Sequence, residues 1–160
     1  MKINSVSTGF IEIPNNASLN IFTQGCSIHC KNCHNKELWD FNGGIERSLD
    51  WFLKLLSTRF LTNWICWLGG EPTDQEDLLL FSKEAKKISW KVALYTGKNF
   101  KSLDDNLLNY IDLVIDEPFL GTSVKENDTN QGIYIKEQNI FKKLASWNDL
   151  VDFFINKDSV

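Results

Sequence analysis

Positive charge is in short supply in this chain. Its 160 residues carry 17 lysines and arginines against 21 aspartates and glutamates, a net charge of −4, and the pI is near 5.2. A phosphate-rich partner would ask for a basic face, so no nucleic-acid partner is expected. The densest basic group, Lys83, Lys86 and Lys87, has helical spacing and reads as a solvated face. Long hydrophobic runs are missing too. No stretch nears the length of a membrane span, and Met1 to Phe10 contains one lysine and no apolar run of signal length. A cytoplasmic location without a membrane partner is therefore the expectation. Methionine occurs once, at position 1, and histidine twice. Internal repeats and low-complexity tracts are absent. With 42% hydrophobic and 24% charged residues, the composition is that of a globular chain. Residues 1–160 are expected to form one domain, burying about 70% of the unfolded surface.

Cysteine is sparse as well, with four in all, yet three crowd into Cys26-Ser27-Ile28-His29-Cys30-Lys31-Asn32-Cys33. Thiolates so close in sequence can converge on one metal centre with little chain entropy to overcome. A closed structural site normally takes four ligands, so one position is left open, as in catalytic metal sites. Three other readings compete. Cys30-Lys31-Asn32-Cys33-His34 matches the pattern for covalent haem attachment, but that chemistry belongs with an export signal and usually a second axial ligand. Zinc accepts three cysteines plus His29 or His34. Disulfides need an oxidising compartment, and Cys66 lies in the apolar run Trp64 to Leu68, where it reads as a small buried hydrophobe.

The pattern around these cysteines alternates strand and helix. Leu19 to Thr23 reads as a first strand that feeds the cysteine loop through Gln24-Gly25. Leu49, Phe52, Leu53, Leu56 and Phe60 follow Ser48, a good N-cap, at helical spacing. Trp64 to Leu68 is a continuous apolar strand ending in Gly69-Gly70-Glu71-Pro72. Thr73 and Glu76 stand in the relation of a capping box before a helix marked by Leu78, Phe81, Ala85 and Ile88. Lys91 to Tyr95 is a strand stopped by Thr96-Gly97. A short helix over Leu103, Leu107 and Tyr110 precedes the strand Leu113 to Ile115, which ends at Asp116-Glu117-Pro118. A further strand at Gly132 to Lys136 and a closing helix from about 146 to 156, with Trp147, Leu150, Val151 and Phe154, complete the reading. Such alternation implies an α/β fold with parallel pairing, every strand leaving on one edge. The cysteine loop, the Gly-Gly-Glu-Pro turn, Thr96-Gly97 and Asp116-Glu117 would then meet there.

Gly69 and Gly70 remove side chains where a strand ends, which would let a ligand approach the backbone, and Glu71 adds a carboxylate. The arrangement suits a small zwitterion whose ammonium needs an acceptor. Together, Cys26-x-x-x-Cys30-x-x-Cys33 and Gly69-Gly70-Glu71-Pro72 closely resemble the motifs of radical S-adenosylmethionine enzymes. Phe22-Thr23-Gln24-Gly25-Cys26, Cys33-His34-Asn35, Tyr95-Thr96-Gly97, Ile111 to Phe119 and Asn130-Gln131 resemble the activating proteins of anaerobic ribonucleoside-triphosphate reductases. The resemblance runs from about residue 10 to 136. It departs at Ile13-Pro14-Asn15-Asn16-Ala17-Ser18, where that family carries a Gly-Pro-Gly stretch and an arginine.

The resemblance implies a partial (βα) barrel with a mostly parallel sheet, the core at about 17–136. It implies a [4Fe-4S] cluster on Cys26, Cys30 and Cys33, each thiolate on a different iron, with S-adenosylmethionine chelating the fourth. Gly69, Gly70 and Glu71 would hold its ammonium, and Thr96 and Asp116 its ribose or carboxylate. One electron would cleave the sulfonium, and the resulting 5′-deoxyadenosyl radical would take hydrogen from a glycine of the reductase large subunit. No catalytic acid or base is needed. The implied electron source is a low-potential donor such as flavodoxin or ferredoxin. Two rivals remain: a radical S-adenosylmethionine enzyme acting on a small molecule or peptide, and a zinc-stabilised interaction module.

Overall fold

The computed structural model describes residues 1–58, 61–126 and 128–157. Its elements are β1 (Lys2–Ile13), β2 (Asn16–Thr23), β3 (Ile45–Glu46), α1 (Leu49–Ser57), β4 (Trp64–Gly69), α2 (Leu78–Lys87), β5 (Lys91–Tyr95), α3 (Asp105–Leu108), β6 (Leu113–Ile115), β7 (Ile133–Glu137), β8 (Ile140–Leu144) and α4 (Trp147–Lys157). All eight strands form one sheet in the order β3-β1-β2-β4-β5-β6-β7-β8. The inner strands β2, β4, β5 and β6 run parallel, as expected. Antiparallel strands extend both edges, so the sheet is open and mixed.

The strands found from sequence are the ones with apolar runs. Trp64, Ile65, Cys66 and Trp67 are all buried because helices and loops cover both faces of β4. Strands towards the two edges escape this logic. β1 shows no regular inward alternation and β8 is largely exposed, so neither announced itself. β7 corrects the expectation that every strand leaves on one edge. It returns antiparallel to β6, and among the described residues the connection over 116–132 contains no crossover helix.

Ser48 caps α1 by accepting from Trp51 N at 3.2 Å. The capping box at Thr73 and Glu76 does not form. Thr73 sits in a 3-10 turn, Pro72–Asp74, and its hydroxyl donates to Glu71 instead. Phe60, assigned to the first helix by its spacing, lies outside the described residues.

Two cores sandwich the sheet. On one face α1, α2 and α3 bury Phe52, Leu56, Phe81 and Leu107 against Ile21, Ile65, Trp67, Val92 and Val114. The Trp67 indole N–H finds Ser82 Oγ at 3.1 Å, which satisfies the one polar atom of that large side chain. On the other face α4 brings Leu150 and Phe154 onto Cys66, Ala93, Leu113, Ile115 and Ile133, joined by Val124 from the β6–β7 connection. Towards the carboxyl ends of the parallel strands this second face opens into a cavity, with Leu68 and Tyr95 on its floor. Among the described residues no helix is long and apolar enough to cross a membrane.

Candidate functional site

The cavity, about 310 Å³, is lined by Cys26, Cys30 and Cys33, by Gly69, Gly70 and Glu71, and by Thr96 and Gly97. Three sequence-distant loops that the strand pattern brings to one edge thus face one space, at the low end of small-ligand pockets, roughly 300–1,000 Å³. Asp116 is not among the lining residues. Its carboxylate is 1% exposed, and its two oxygens accept from Gly132 N (2.9 Å) and Phe100 N (2.8 Å). It therefore pins the two chain segments beside the end of β6.

Close backbone packing fixes the cysteine loop. Gly25 N and Cys26 N donate to Leu38 O and Trp39 O, while Glu71 N donates to Gly25 O at 2.8 Å and Gly70 N to Thr23 O at 2.9 Å. Both N–H groups of the turn after β4 are thereby committed to β2 and the loop that follows it. Ser27 N donates to Asp74 Oδ2 at 2.7 Å, and Lys98 Nζ holds the other oxygen of Asp74 at 3.0 Å. The sequence had given no sign of Asp74 or Lys98 as supports of this loop, because neither belongs to a motif.

Glu71 is the hub of the arrangement. It is 1% exposed, and its Oε1 accepts from Thr73 N (3.1 Å), Thr73 Oγ1 (2.6 Å) and Thr96 Oγ1 (2.7 Å) while Oε2 accepts from Gly97 N (2.8 Å). A buried carboxylate held by four donors is well compensated. It ties the turn after β4 to the turn after β5, and this internal role was not legible from the motif.

Glu12, Glu117 and Lys125 also line the cavity, so charges of both signs face it. Sequence reasoning missed Glu12 and Lys125, which lie on the largely exposed β1 and in an irregular connection, where no periodicity flags them. Tyr95 donates its hydroxyl to Glu12 O at 2.7 Å. Burial, with smaller contributions from Cys66 and Glu12, pushes its phenol well above the usual range, so it stays neutral.

All four cysteines are free thiols. Cys66 is buried in β4, and burial raises its thiol well above the ordinary value. Cys26 is 7% exposed. Burial pushes its thiol up, the backbone at His29 and Ile28 pulls it partway back, and the Glu71 and Asp74 carboxylates add to the rise. In metal-free, reduced protein at pH 8, Cys26 is expected to react with iodoacetamide about tenfold more slowly than Cys30 or Cys33, both half-buried. Mass spectrometry of timed samples checks this; equal rates at all three would contradict it.

Among the described residues no three His, Cys, Asp or Glu side chains converge on a single ion. The donor set instead suits a cluster, where each thiolate takes a different metal atom. Neither histidine completes a mononuclear set. His29 stacks on Trp39 with ring centroids 4.5 Å apart, and His34 packs against Phe119, also at 4.5 Å.

Three thiols with no fourth protein donor among the described residues, at the carboxyl edge of the parallel strands and beside a cavity of cofactor size, match what the sequence motifs imply, an iron–sulfur enzyme of the radical S-adenosylmethionine class. The chain belongs to the 4Fe-4S single cluster domain family, whose model matches residues 17–141. The family's [4Fe-4S] cluster suits the three thiols, which sets aside the zinc and haem readings. It is 28% identical over 113 residues to the anaerobic ribonucleoside-triphosphate reductase-activating protein of Pasteurella multocida (strain Pm70), across 62% of this chain and 72% of that one. It is 29% identical over 122 residues to the pyruvate formate-lyase-activating enzyme of Clostridium pasteurianum, across 71% of this chain and only 50% of that one. A third relative is the 7-carboxy-7-deazaguanine synthase of Thermoplasma acidophilum, 33% identical over 75 residues, 47% of this chain and 34% of the other. The fold is similar to that of QueE from Escherichia coli, with a TM-score of 0.53 at 16% identity over 69% of this chain and 68% of that one.

Proposed function

We propose that this protein generates a glycyl radical on the large subunit of an anaerobic ribonucleoside-triphosphate reductase. The observation that carries the reading is the pairing of a cysteine-lined cavity with exposed apolar residues next in sequence to residues that line it. Phe10 and Ile11 immediately precede the cavity residue Glu12, and Leu120 follows the cavity residue Phe119; they are 69%, 65% and 62% exposed. A macromolecular substrate can cover such groups and close the site itself, whereas a metabolite cannot. The identity to the activating protein of P. multocida supports the same reading.

On this reading Cys26, Cys30 and Cys33 hold the cluster. The turn at Gly69, Gly70 and Glu71 places backbone and carboxylate by the methionyl ammonium, Thr96 stands at the ribose, and Glu117 and Lys125 complement the remaining charges. Asp116 acts at one remove, by holding the ends of the walls. When bound, the cluster and S-adenosylmethionine would supply one-electron radical chemistry able to remove a hydrogen atom from the substrate. The chain's own residues orient the cofactor and exclude water, and none has to move a proton. The reductant is a low-potential donor such as flavodoxin or ferredoxin, and a reducing cytoplasm would keep these thiols out of disulfides.

A second reading keeps the chemistry but changes the substrate to a small molecule, as the identity to 7-carboxy-7-deazaguanine synthase favours. Reduced, cofactor-loaded protein mixed with the reductase is expected to yield methionine, 5′-deoxyadenosine and a glycyl-radical doublet in electron paramagnetic resonance. Changing the acceptor glycine to alanine should abolish the doublet. Robust cofactor turnover with no protein radical would overturn the reductase as target and leave the second reading.

A further inference from the structure

The connection from β6 to β7 passes beside the cysteine loop, and a residue between two cysteines reaches it. Asn32 Nδ2 donates to Leu120 O at 2.9 Å. The chain is shaped to receive this contact. Gly121 follows with φ +118°, and a Cβ there would lie 3.0 Å from the Asn32 amide nitrogen. His34, two residues after Asn32, packs on Phe119, the residue before Leu120. The two ends of the segment are held separately: Asn130 Nδ2 donates to Pro118 O (2.8 Å), and Gln131 Oε1 accepts from Val124 N (3.1 Å).

We propose that Asn32 is a positioning residue that holds residues 117–125 across the cofactor cavity as its outer wall. This segment contributes Glu117, Phe119, Ser123, Val124 and Lys125 to the lining. Its ends are fixed by the Asn130-Gln131 pair, but its middle, with Leu120 and Gly121 exposed, is set against the cysteine loop by the Asn32 bond. The wall therefore takes its place from the same loop that carries the thiols. The inference rests on the reading that S-adenosylmethionine occupies this cavity.

The test compares Asn32→Ala and Asn32→Asp with the unaltered protein, each with its cluster reconstituted anaerobically. Iron and sulfide contents are expected to be unchanged. Affinity for S-adenosylmethionine, from anaerobic calorimetric titration, should fall about three- to tenfold in Asn32→Ala, the scale of one lost hydrogen bond. It should fall at least as far in Asn32→Asp, where a carboxylate oxygen would face the Leu120 carbonyl. Hydrogen exchange of the amides at 119–124 should quicken by about the same factor, because the wall opens without global unfolding.

Gly121→Ala reaches the contact from the other side without altering the cysteine motif. It should reproduce the affinity and exchange changes with iron intact. Wild-type affinity and exchange in all three variants would overturn the proposal. So would loss of iron in Asn32→Ala with Gly121→Ala unaffected, which would assign Asn32 to the cluster loop alone. Should the unaltered protein fail to bind S-adenosylmethionine, the cofactor placement falls, while exchange at 119–124 still decides whether Asn32 holds the wall.

Discussion

Replacing Cys26, Cys30 or Cys33 singly by alanine is expected to abolish the cluster, while Cys66→Ala leaves iron and sulfide at the unaltered level. The three thiols line one cavity, and Cys66 lies within β4, packed with Trp64, Ala93 and Ile115. Each of the three would hold a different iron, so no remaining thiol can substitute without moving backbone that Gly25, Cys26 and Ser27 bind into place at Leu38, Trp39 and Asp74. Cofactor turnover should fall by several orders of magnitude in each of the three, because the electron has no route without the cluster. Cys66→Ala shortens a fully buried side chain by one sulfur and should cost only about 1 kcal/mol of stability. Iron and sulfide assays after anaerobic reconstitution decide the matter. Normal cluster content in Cys30→Ala, or a loss confined to Cys66→Ala, would contradict the assignment.

How much could be read from sequence followed from where burial writes a pattern. The inner strands declare themselves because both faces are covered: Lys91 to Tyr95 and Leu113 to Ile115 are found with the boundaries read from their apolar runs. The cysteine spacing is local and needs no tertiary context. What escaped lies at the edges and in irregular chain. β1 and β8 face solvent on much of their length, so no periodicity marks them, and the cavity residues Glu12 and Lys125 went unnoticed with them. Asp116 was grouped with the site because it ends a strand. Its backbone partners, which occupy both oxygens, come from residues 16 positions away on either side. Thr73 was read as a helix cap because the local pattern permits it, but a buried carboxylate two residues earlier makes a stronger claim on its hydroxyl.

The glycine pair after β4 is the sharpest case of a motif read correctly for its place and incompletely for its reason, and it carries a large expected effect. From sequence, Gly69 and Gly70 leave room for a ligand at the backbone. In the structure, the space a side chain at Gly70 would need is filled by the protein itself: a Cβ there would lie 2.2 Å from Gly25 O and 3.1 Å from Leu38 O. Those atoms are backbone and cannot rotate aside. Gly25 O also accepts the Glu71 N–H, so displacing it breaks the stitch between this turn and the residue before Cys26. Gly70→Ala is therefore expected to cost about 1–3 kcal/mol as overpacking, with the lost hydrogen bonds in addition, and to impair cluster assembly although it removes no ligand. Gly97→Ala provides the contrast. Its Cβ would meet only the Ile28 side chain, at 3.0 Å, and that side chain can shift. Its cost should stay below about 1.5 kcal/mol, with the cluster retained. Urea unfolding of the cluster-free proteins and iron content after reconstitution separate the two. Equal, small losses in both variants would mean that the turn tolerates movement of the cysteine loop, and that the glycines serve the ligand alone.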